Sequence, residues 1–176
     1  MSLSPLHTAR LELIPATPEL AHAAAYHPEA LAEALAVQIP TEWPPELIET
    51  DNLVFFSSRL HEVPSLVGWS AWYVVRHEPV RTLIGLFGFN GPPDETGTVS
   101  LGYALIAPAQ RQGYGPEALR ALIDWAFSHP EVVTVAADTF LHLLPSVRVL
   151  RRLGFTRGGE AVEPGAVRFQ LTRPRD

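Results

Sequence analysis

The sequence of 176 residues contains no cysteine and no lysine, so all 13 of its basic side chains are arginines. Without cysteine the chain has no thiol nucleophile, no disulfide and no thiolate zinc site. Without lysine it has neither a Schiff-base amine nor the P-loop lysine that contacts nucleotide phosphates. These absences exclude much of covalent catalysis.

Long apolar segments and an export signal are also missing. No stretch approaches the roughly 20 apolar residues of a membrane-spanning helix, and residues 1–10 lack the basic and apolar regions of a signal peptide. Apolar residues make up 47% and charged residues 18% of the chain, which is typical of a globular protein. We therefore expect a single domain over residues 1–176 that is cytoplasmic and has no membrane partner.

The net charge of −6 argues against nucleic acid as a partner, because phosphate backbones bind basic surfaces. The charges are unevenly distributed along the chain. Residues 1–110 carry four arginines and twelve acids, a net of −8, whereas residues 111–176 carry nine arginines and seven acids, a net of +2. Unless this is random scatter of surface charge, an anionic ligand favours the second half and a cationic ligand the first.

The pattern of apolar residues, prolines and turn residues predicts an α+β chain. The predicted helices cover 18–26, a segment after Pro28, a stretch starting at Pro44 and reaching Leu60, 116–128 and 145–153. The predicted strands cover 9–14, 68–75, 82–89, 98–106, 132–140, 155–161 and 167–171. Short turns between residues 68 and 106 favour an antiparallel meander, which a strand, helix, strand crossover then follows.

The loop at residues 110–118, Gln-Arg-Gln-Gly-Tyr-Gly-Pro-Glu-Ala, has the features of an anion site at the start of a helix. Gly113 and Gly115 allow the backbone to approach a ligand closely. The amides of residues 112–115 can converge on an anion that also interacts with the positive end of the helix dipole. Pro116 fits the first helical turn, with Gly115 as the predicted N-cap.

Two other interpretations of this loop compete with a specialised anion site. Residues 113–118 match the dinucleotide pattern G-x-G-x-x-G/A, with Asp138 about 25 residues further on. A dinucleotide loop should follow its strand directly, yet residues 107–112 intervene after Ile106, and the rest of the chain is too short for a doubly wound sheet. The other alternative is a glycine turn with a purely structural role.

The loop and its flanking segments resemble the acyl-CoA signature Q/R-x-x-G-x-G/A of the GNAT acyltransferase superfamily. A second block, residues 139–155, resembles the superfamily's segment in which a serine opens a helix and Leu-Gly-Phe closes it. Residues 8–13, Thr-Ala-Arg-Leu-Glu-Leu, are similar to the first strand of the branch that acetylates ribosomal-protein N-termini. The resemblance implies a mixed, mostly antiparallel central sheet of about seven strands, splayed between strands 4 and 5 and flanked by helices.

This resemblance implies an N-acetyltransferase that moves an acetyl group from acetyl-CoA, its co-substrate, directly to a primary amine without a metal. The acceptor would be a protein or peptide N-terminus or a small basic amine. Leu105 and Ile106 would line the pantetheine arm, and the pyrophosphate would lie on Arg111, Gln112, Gly113, Tyr114, Gly115 and Pro116. A catalytically silent acyl-CoA-binding protein is the alternative. The oligomeric state stays open, although dimers are common in the superfamily.

The chain departs from the superfamily pattern at positions that carry catalysis. Many relatives have a glutamate, which deprotonates the amine, where this chain has Ser100. The base here is therefore either a water chain or one of three other carboxylates, those of Asp94, Glu95 and Asp138. A tyrosine that often protonates the thiolate is replaced by Leu150, and a common asparagine by Leu143. Ser146 stands where the N-terminal-acetylating branch keeps a serine near the CoA sulfur, so it is the predicted catalytic residue. Either Gln110 or Arg111 fills the polar position before the loop.

Overall fold

The computed structural model describes residues 3–174, and Met1, Ser2, Arg175 and Asp176 lie outside the described residues. Within this range one sheet contains eight strands: β1 (Leu6–His7), β2 (Leu11–Pro15), β3 (Ala71–Arg76), β4 (Thr82–Phe89), β5 (Thr98–Leu105), β6 (Thr134–Thr139), β7 (Thr156–Arg157) and β8 (Val167–Thr172). The strand order is β1-β2-β3-β4-β5-β6-β8-β7. Only the pairing of β5 with β6 is parallel among the pairs that join these eight strands.

The α+β architecture and the antiparallel meander are therefore confirmed. The two-residue strand β1 precedes the first predicted strand, so the pair predicted as strands 4 and 5 is β5 and β6. The predicted strand over 155–161 is wrong in length, because β7 ends at Arg157. Gly158 and Gly159 follow β7, and Gly159 has a φ of +81°, which takes the chain out of the strand conformation.

Five helices flank the sheet in the described range: α1 (Pro18–Tyr26), α2 (Pro28–Leu35), α3 (Thr50–Glu62), α4 (Tyr114–Phe127) and α5 (Leu144–Arg152). The Thr17 hydroxyl accepts a hydrogen bond from the Leu20 amide at 3.2 Å and caps α1, as predicted. The helix predicted from Pro44 begins only at Thr50. There the side chain of Asn52 accepts from the Glu49 amide at 2.8 Å, whereas the prolines at 44 and 45 lack amide donors.

Two hydrophobic cores cover the two faces of the sheet. One core joins the sheet to α4 and α5, and the other joins it to α1, α2 and α3. Since side chains alternate along a strand, Ser100, Gly102 and Ala104 of β5 face the helices α1–α3. Tyr103 and Leu105 face α4 and α5. None of the helices between residues 3 and 174 has the length and hydropathy that crossing a bilayer requires.

Helix α4 begins two residues earlier than predicted. Its N-cap is Gly113, with a φ of +80°, rather than Gly115. Pro116 still lies in the first turn, where a missing amide hydrogen breaks no helical hydrogen bond. The earlier start places the amides of Tyr114 and Gly115 at the helix N-terminus, in the segment that the sequence marks as the anion site.

Candidate active site

A wedge-shaped gap opens between β5 and β6. The two strands pair only through Thr98, Val99 and Ser100 on β5, opposite residues 134–136 on β6. Beyond these positions β5 continues along β4 as far as Leu105, while β6 continues along β8 as far as Thr139. Each strand follows its outer neighbour, and the inner edges therefore separate.

The gap exposes backbone hydrogen-bonding groups on β5. The Asn90 amide donates to the Ser100 carbonyl at 3.0 Å, and the Ile106 amide donates to the Ile84 carbonyl at 2.9 Å, so the even-numbered residues bond toward β4. Because hydrogen-bonding direction alternates along a strand, Leu101 and Tyr103 direct their amides and carbonyls into the gap. An extended ligand with amide groups can pair with this edge as an added strand.

The loop between Ile106 and α4 lies at the wide end of the gap. Arg111 has a φ of +60° and Gly113 a φ of +80°, and these two left-handed residues turn the chain from the loop into α4. The amides of residues 111–115 donate to no acceptor within residues 3–174. Such a run of free amides at the N-terminus of a long helix is an anion-binding arrangement. Gln110 ties the loop to β5, because its side-chain amide donates to the Leu105 carbonyl at 3.1 Å.

Arg10 is a second cation at this loop, and sequence reasoning missed it. Its guanidinium donates to the Gln112 carbonyl at 2.9 Å and lies over the Tyr114 ring, with 4.4 Å between Cζ and the ring centroid. It also forms a salt bridge with Glu117 at 2.7 Å. Its position in the segment 8–13, similar to a family's first strand, was the only signal in the sequence.

Glu117, in the first turn of α4, connects the helix to the turn between β1 and β2. It accepts hydrogen bonds from the Thr8 hydroxyl at 2.6 Å, the Arg10 amide at 2.9 Å and the Arg10 guanidinium at 2.7 Å. Partial burial raises the pKa of Glu117, but these hydrogen bonds and the Arg10 charge outweigh it and hold the pKa below its ordinary value. We call Thr8, Arg10 and Glu117 the clasp.

The predicted cofactor residues lie together around the loop. Leu105 is half-buried directly beneath it, with Cδ1 3.7 Å from the position that a Cβ on Gly115 would occupy. The side chains of Ile106 and Tyr114 belong to the core, at 3% and 8% exposure. Tyr114 therefore offers the loop its amide rather than its ring. Arg111 and Gln112 are exposed, Gly113 caps the helix and Pro116 is partly buried.

Ser146 faces a partner that the sequence did not predict. Its Oγ is 2.6 Å from the Oη of Tyr103, so a hydrogen bond between α5 and β5 joins the two sides of the gap. The Tyr103 ring packs on Phe87, with centroids 5.6 Å apart. Burial raises the pKa of Tyr103, and the hydrogen bond with Ser146 offsets this only in part. Tyr103 therefore keeps its proton at neutral pH, and either hydroxyl can be the donor in this hydrogen bond.

Two of the three carboxylates named as alternative bases, Asp94 and Asp138, have other partners, and the third, Glu95, is exposed in the turn beside Asp94. Asp94 accepts hydrogen bonds from Thr96 and Thr98 inside an exposed turn, and these bonds lower its pKa. Burial raises the pKa of Asp138, but two hydrogen bonds from the Arg168 guanidinium, at 2.7 and 2.9 Å, help to hold it below its ordinary value. A carboxylate with a lowered pKa is a weak base.

On the side of the gap that faces α1–α3, the space above Gly102 of β5 is unfilled. Gly102 is exposed, and a Cβ added there would have no neighbour within 4 Å. Residues 19–62, which include the helices on this side, carry eight exposed carboxylates and a single arginine, Arg59. The loop and Ser146 therefore adjoin the gap from the α4–α5 side, while an acidic surface lies on the other.

His7, Glu12 and His77 also come together, with possible ligand atoms within 4.8 Å of one another. They lie at the β1–β3 end of the sheet, away from the diverging strands. The Arg81 guanidinium donates to Glu12 at 2.7 Å and lies 3.4 Å from Nδ1 of His77. The positive charge of Arg81 already compensates the Glu12 carboxylate, so this cluster is an ion pair flanked by two histidines.

Comparison with known proteins identifies the family. Residues 10–156 match the acetyltransferase (GNAT) domain. The uncharacterized N-acetyltransferase YjdG of Bacillus subtilis (strain 168) is 30% identical over 159 residues, which are 90% of this chain and 93% of that protein. The chain therefore belongs to the GNAT acetyltransferase family and is an N-acetyltransferase.

Solved structures of the family share this fold. RimL, a ribosomal α-N-protein acetyltransferase in complex with coenzyme A, superposes with a TM-score of 0.68 at 17% identity, over 96% of this chain and 98% of that chain. A ribosomal-protein-alanine acetyltransferase from Vibrio fischeri superposes with a TM-score of 0.67 at 19% identity, over 97% of each chain. At these identities the likeness concerns the fold alone.

Proposed function

We propose that this chain transfers the acetyl group of acetyl-CoA directly to a primary amine, that of a protein or peptide N-terminus or of a small basic molecule. The observation that carries the proposal is the gap between β5 and β6, which ends at a loop of unpaired amides. The pyrophosphate lies on the loop amides beside Arg111, and the pantetheine arm runs along Leu105 and pairs with the free edge of β5.

The reaction needs no covalent intermediate on the enzyme. The acceptor nitrogen attacks the thioester carbonyl, and the amides of Leu101 and Tyr103 are the donors available to the developing oxyanion. The carbon–sulfur bond then breaks, the thiolate leaves and the amine proton passes to water. Since Asp94 and Asp138 are engaged elsewhere and Glu95 is exposed in the turn beside Asp94, water near Ser100 accepts that proton. Ser146 donates a hydrogen bond to the departing sulfur and is the residue through which the enzyme stabilises the leaving thiolate.

The amine acceptor enters from the acidic side. A cationic or N-terminal amine is attracted to a surface that carries eight exposed carboxylates, and the anionic cofactor is attracted to the half of the chain with a net charge of +2. The resemblance of residues 8–13 to the first strand of the branch that acetylates ribosomal-protein N-termini supports a protein N-terminus as the acceptor class.

The test measures thiol release from acetyl-CoA with a panel of peptides and small amines, and cofactor binding by calorimetry in parallel. We expect micromolar binding and acceptor-dependent release. Binding without release for every acceptor favours a catalytically silent acyl-CoA-binding protein. Absence of binding contradicts both functions and the assignment of the loop.

A further inference from the structure

We propose that Tyr103 is a positioning residue for Ser146: its hydroxyl donates to Ser146 Oγ and thereby directs the Ser146 proton toward the cofactor sulfur. The inference rests on the proposed function, because it needs a CoA sulfur in the gap. It assigns a role to a residue of β5 for which the sequence predicted none.

The geometry of the two hydroxyl groups carries the inference. Tyr103 Oη lies 2.6 Å from Ser146 Oγ and 3.5 Å from the Ser146 carbonyl, so the short bond is the one to the side chain. The two residues lie 43 positions apart and approach from β5 and α5, on the two sides of the gap. Beyond Ser100 and Ala136 no strand pairing holds these sides together, so the hydroxyl pair is a link across the opening.

The chemistry of the hydroxyls decides the direction of the bond. A phenol is the more acidic donor and a serine oxygen the better acceptor, so Tyr103 donates and Ser146 accepts. A serine hydroxyl has one proton, and once its oxygen accepts from Tyr103, that proton is free to bond elsewhere. Donation from Tyr103 also polarises the serine hydroxyl and strengthens the bond that it makes to a leaving thiolate.

The surroundings hold Tyr103 in place for this role. Its ring packs against Phe87, its cross-strand partner on β4, and its backbone belongs to the meander. Ser146 lies in the first turn of α5, whose buried residues Val147 and Leu150 anchor the helix in the core. Neither side chain has a charged partner in the described part of the chain. The same hydrogen bond could serve only to stabilise the fold, so the experiment has to distinguish a structural role of Tyr103 from a positioning role.

The experiment compares the Tyr103→Phe, Ser146→Ala and double variants by steady-state kinetics with the best acceptor of the panel. We expect Tyr103→Phe to lower kcat about tenfold, as loss of one hydrogen bond in the transition state does, with KM for acetyl-CoA changed less than about twofold. The double variant should be no slower than Ser146→Ala, because Tyr103 acts through Ser146. Additive losses, or an unchanged kcat in Tyr103→Phe, would overturn the proposal.

Tyr73→Phe is the matched control. Tyr73 is a buried tyrosine on β3 whose hydroxyl donates to the Leu20 carbonyl at 3.3 Å, in the other core. Its removal tests the loss of a buried tyrosine hydroxyl without touching the gap. We expect both variants to lose stability in urea unfolding and only Tyr103→Phe to lose kcat. Equal effects on kcat would contradict a positioning role.

A second measurement does not depend on turnover. The fraction of bound coenzyme A present as thiolate, read from its ultraviolet absorbance at one alkaline pH, should be larger in the unaltered protein than in Tyr103→Phe. The reason is that a directed Ser146 proton stabilises the thiolate. Equal fractions would overturn the role of Tyr103 even in a catalytically silent protein. Failure of coenzyme A to bind at all would instead show that the proposed function is wrong, and the inference would fall with it.

Discussion

Gly113 combines a backbone conformation that glycine favours with a place in the loop between Ile106 and α4, which is the proposed site of the cofactor pyrophosphate. We expect Gly113→Ala to weaken coenzyme A binding by more than about tenfold. A side chain at a φ of +80° costs about 1–2 kcal/mol, and the strain is relieved by rotating the amides of the loop. The added Cβ would also lie 3.2 Å from Arg10 Nη2 and disturb the clasp. Calorimetry with coenzyme A measures the affinity.

Gly165→Ala provides the control for this substitution. Gly165 has a φ of +81° and its Cβ position has only Phe140 Cε1, at 3.9 Å, nearby. Both variants should therefore lose similar stability in urea, while Gly165→Ala keeps its affinity. If Gly113→Ala also keeps its affinity, the loop amides do not bind the cofactor.

At the scale of elements, the clasp fixes the start of α4 against the first two strands. We expect Glu117→Gln to lower the free energy of unfolding by about 1 kcal/mol at neutral pH, a value reduced for the 46% exposure of the Arg10 side chain. The folded-state pKa of Glu117 lies below its ordinary value of 4.5, so the contribution is complete above that value. It is lost as the pH falls through the lower folded-state pKa.

Urea unfolding at a series of pH values checks this prediction. The difference between Glu117→Gln and the unaltered protein should shrink below about pH 4.5. Glu131→Gln, which removes an exposed carboxylate from a turn, should leave the stability unchanged at every pH. A difference that is independent of pH would mean that the charge of Glu117 is not what stabilises the clasp.

The same elements explain how far the sequence could predict the structure. The cap at Thr17, the meander and the glycine loop depend on neighbouring residues, and sequence patterns report neighbours well. The clasp joins residues 107 positions apart, and the register that brings Arg10 to Glu117 is set by the pairing of β1, β2 and β3. For the same reason Ser146 could be selected by resemblance, while its partner Tyr103 could not.

At the scale of the whole molecule, the proposed function assigns the acidic and the basic surfaces to different substrates. The exposed carboxylates on the proposed acceptor side are Glu19, Glu29, Glu33, Glu42, Glu46, Glu49, Asp51 and Glu62. None of the eight forms a salt bridge with another described residue, so they act through a summed field rather than through contacts. Such a field attracts basic acceptors over several ångströms and is weakened by salt.

The ionic-strength dependence of KM tests this division. For a peptide with arginines beside its N-terminal amine, KM should rise about fivefold or more between about 50 and 500 mM salt, while kcat at saturation stays constant. A neutral peptide with the same terminal residue should show a KM that changes less than about twofold. Glu46→Gln with Asp51→Asn should reduce the salt dependence for the basic peptide, whereas Glu131→Gln with Glu163→Gln should not. If both peptides respond equally, the acidic face does not receive the acceptor, and the amine must reach the gap by another side.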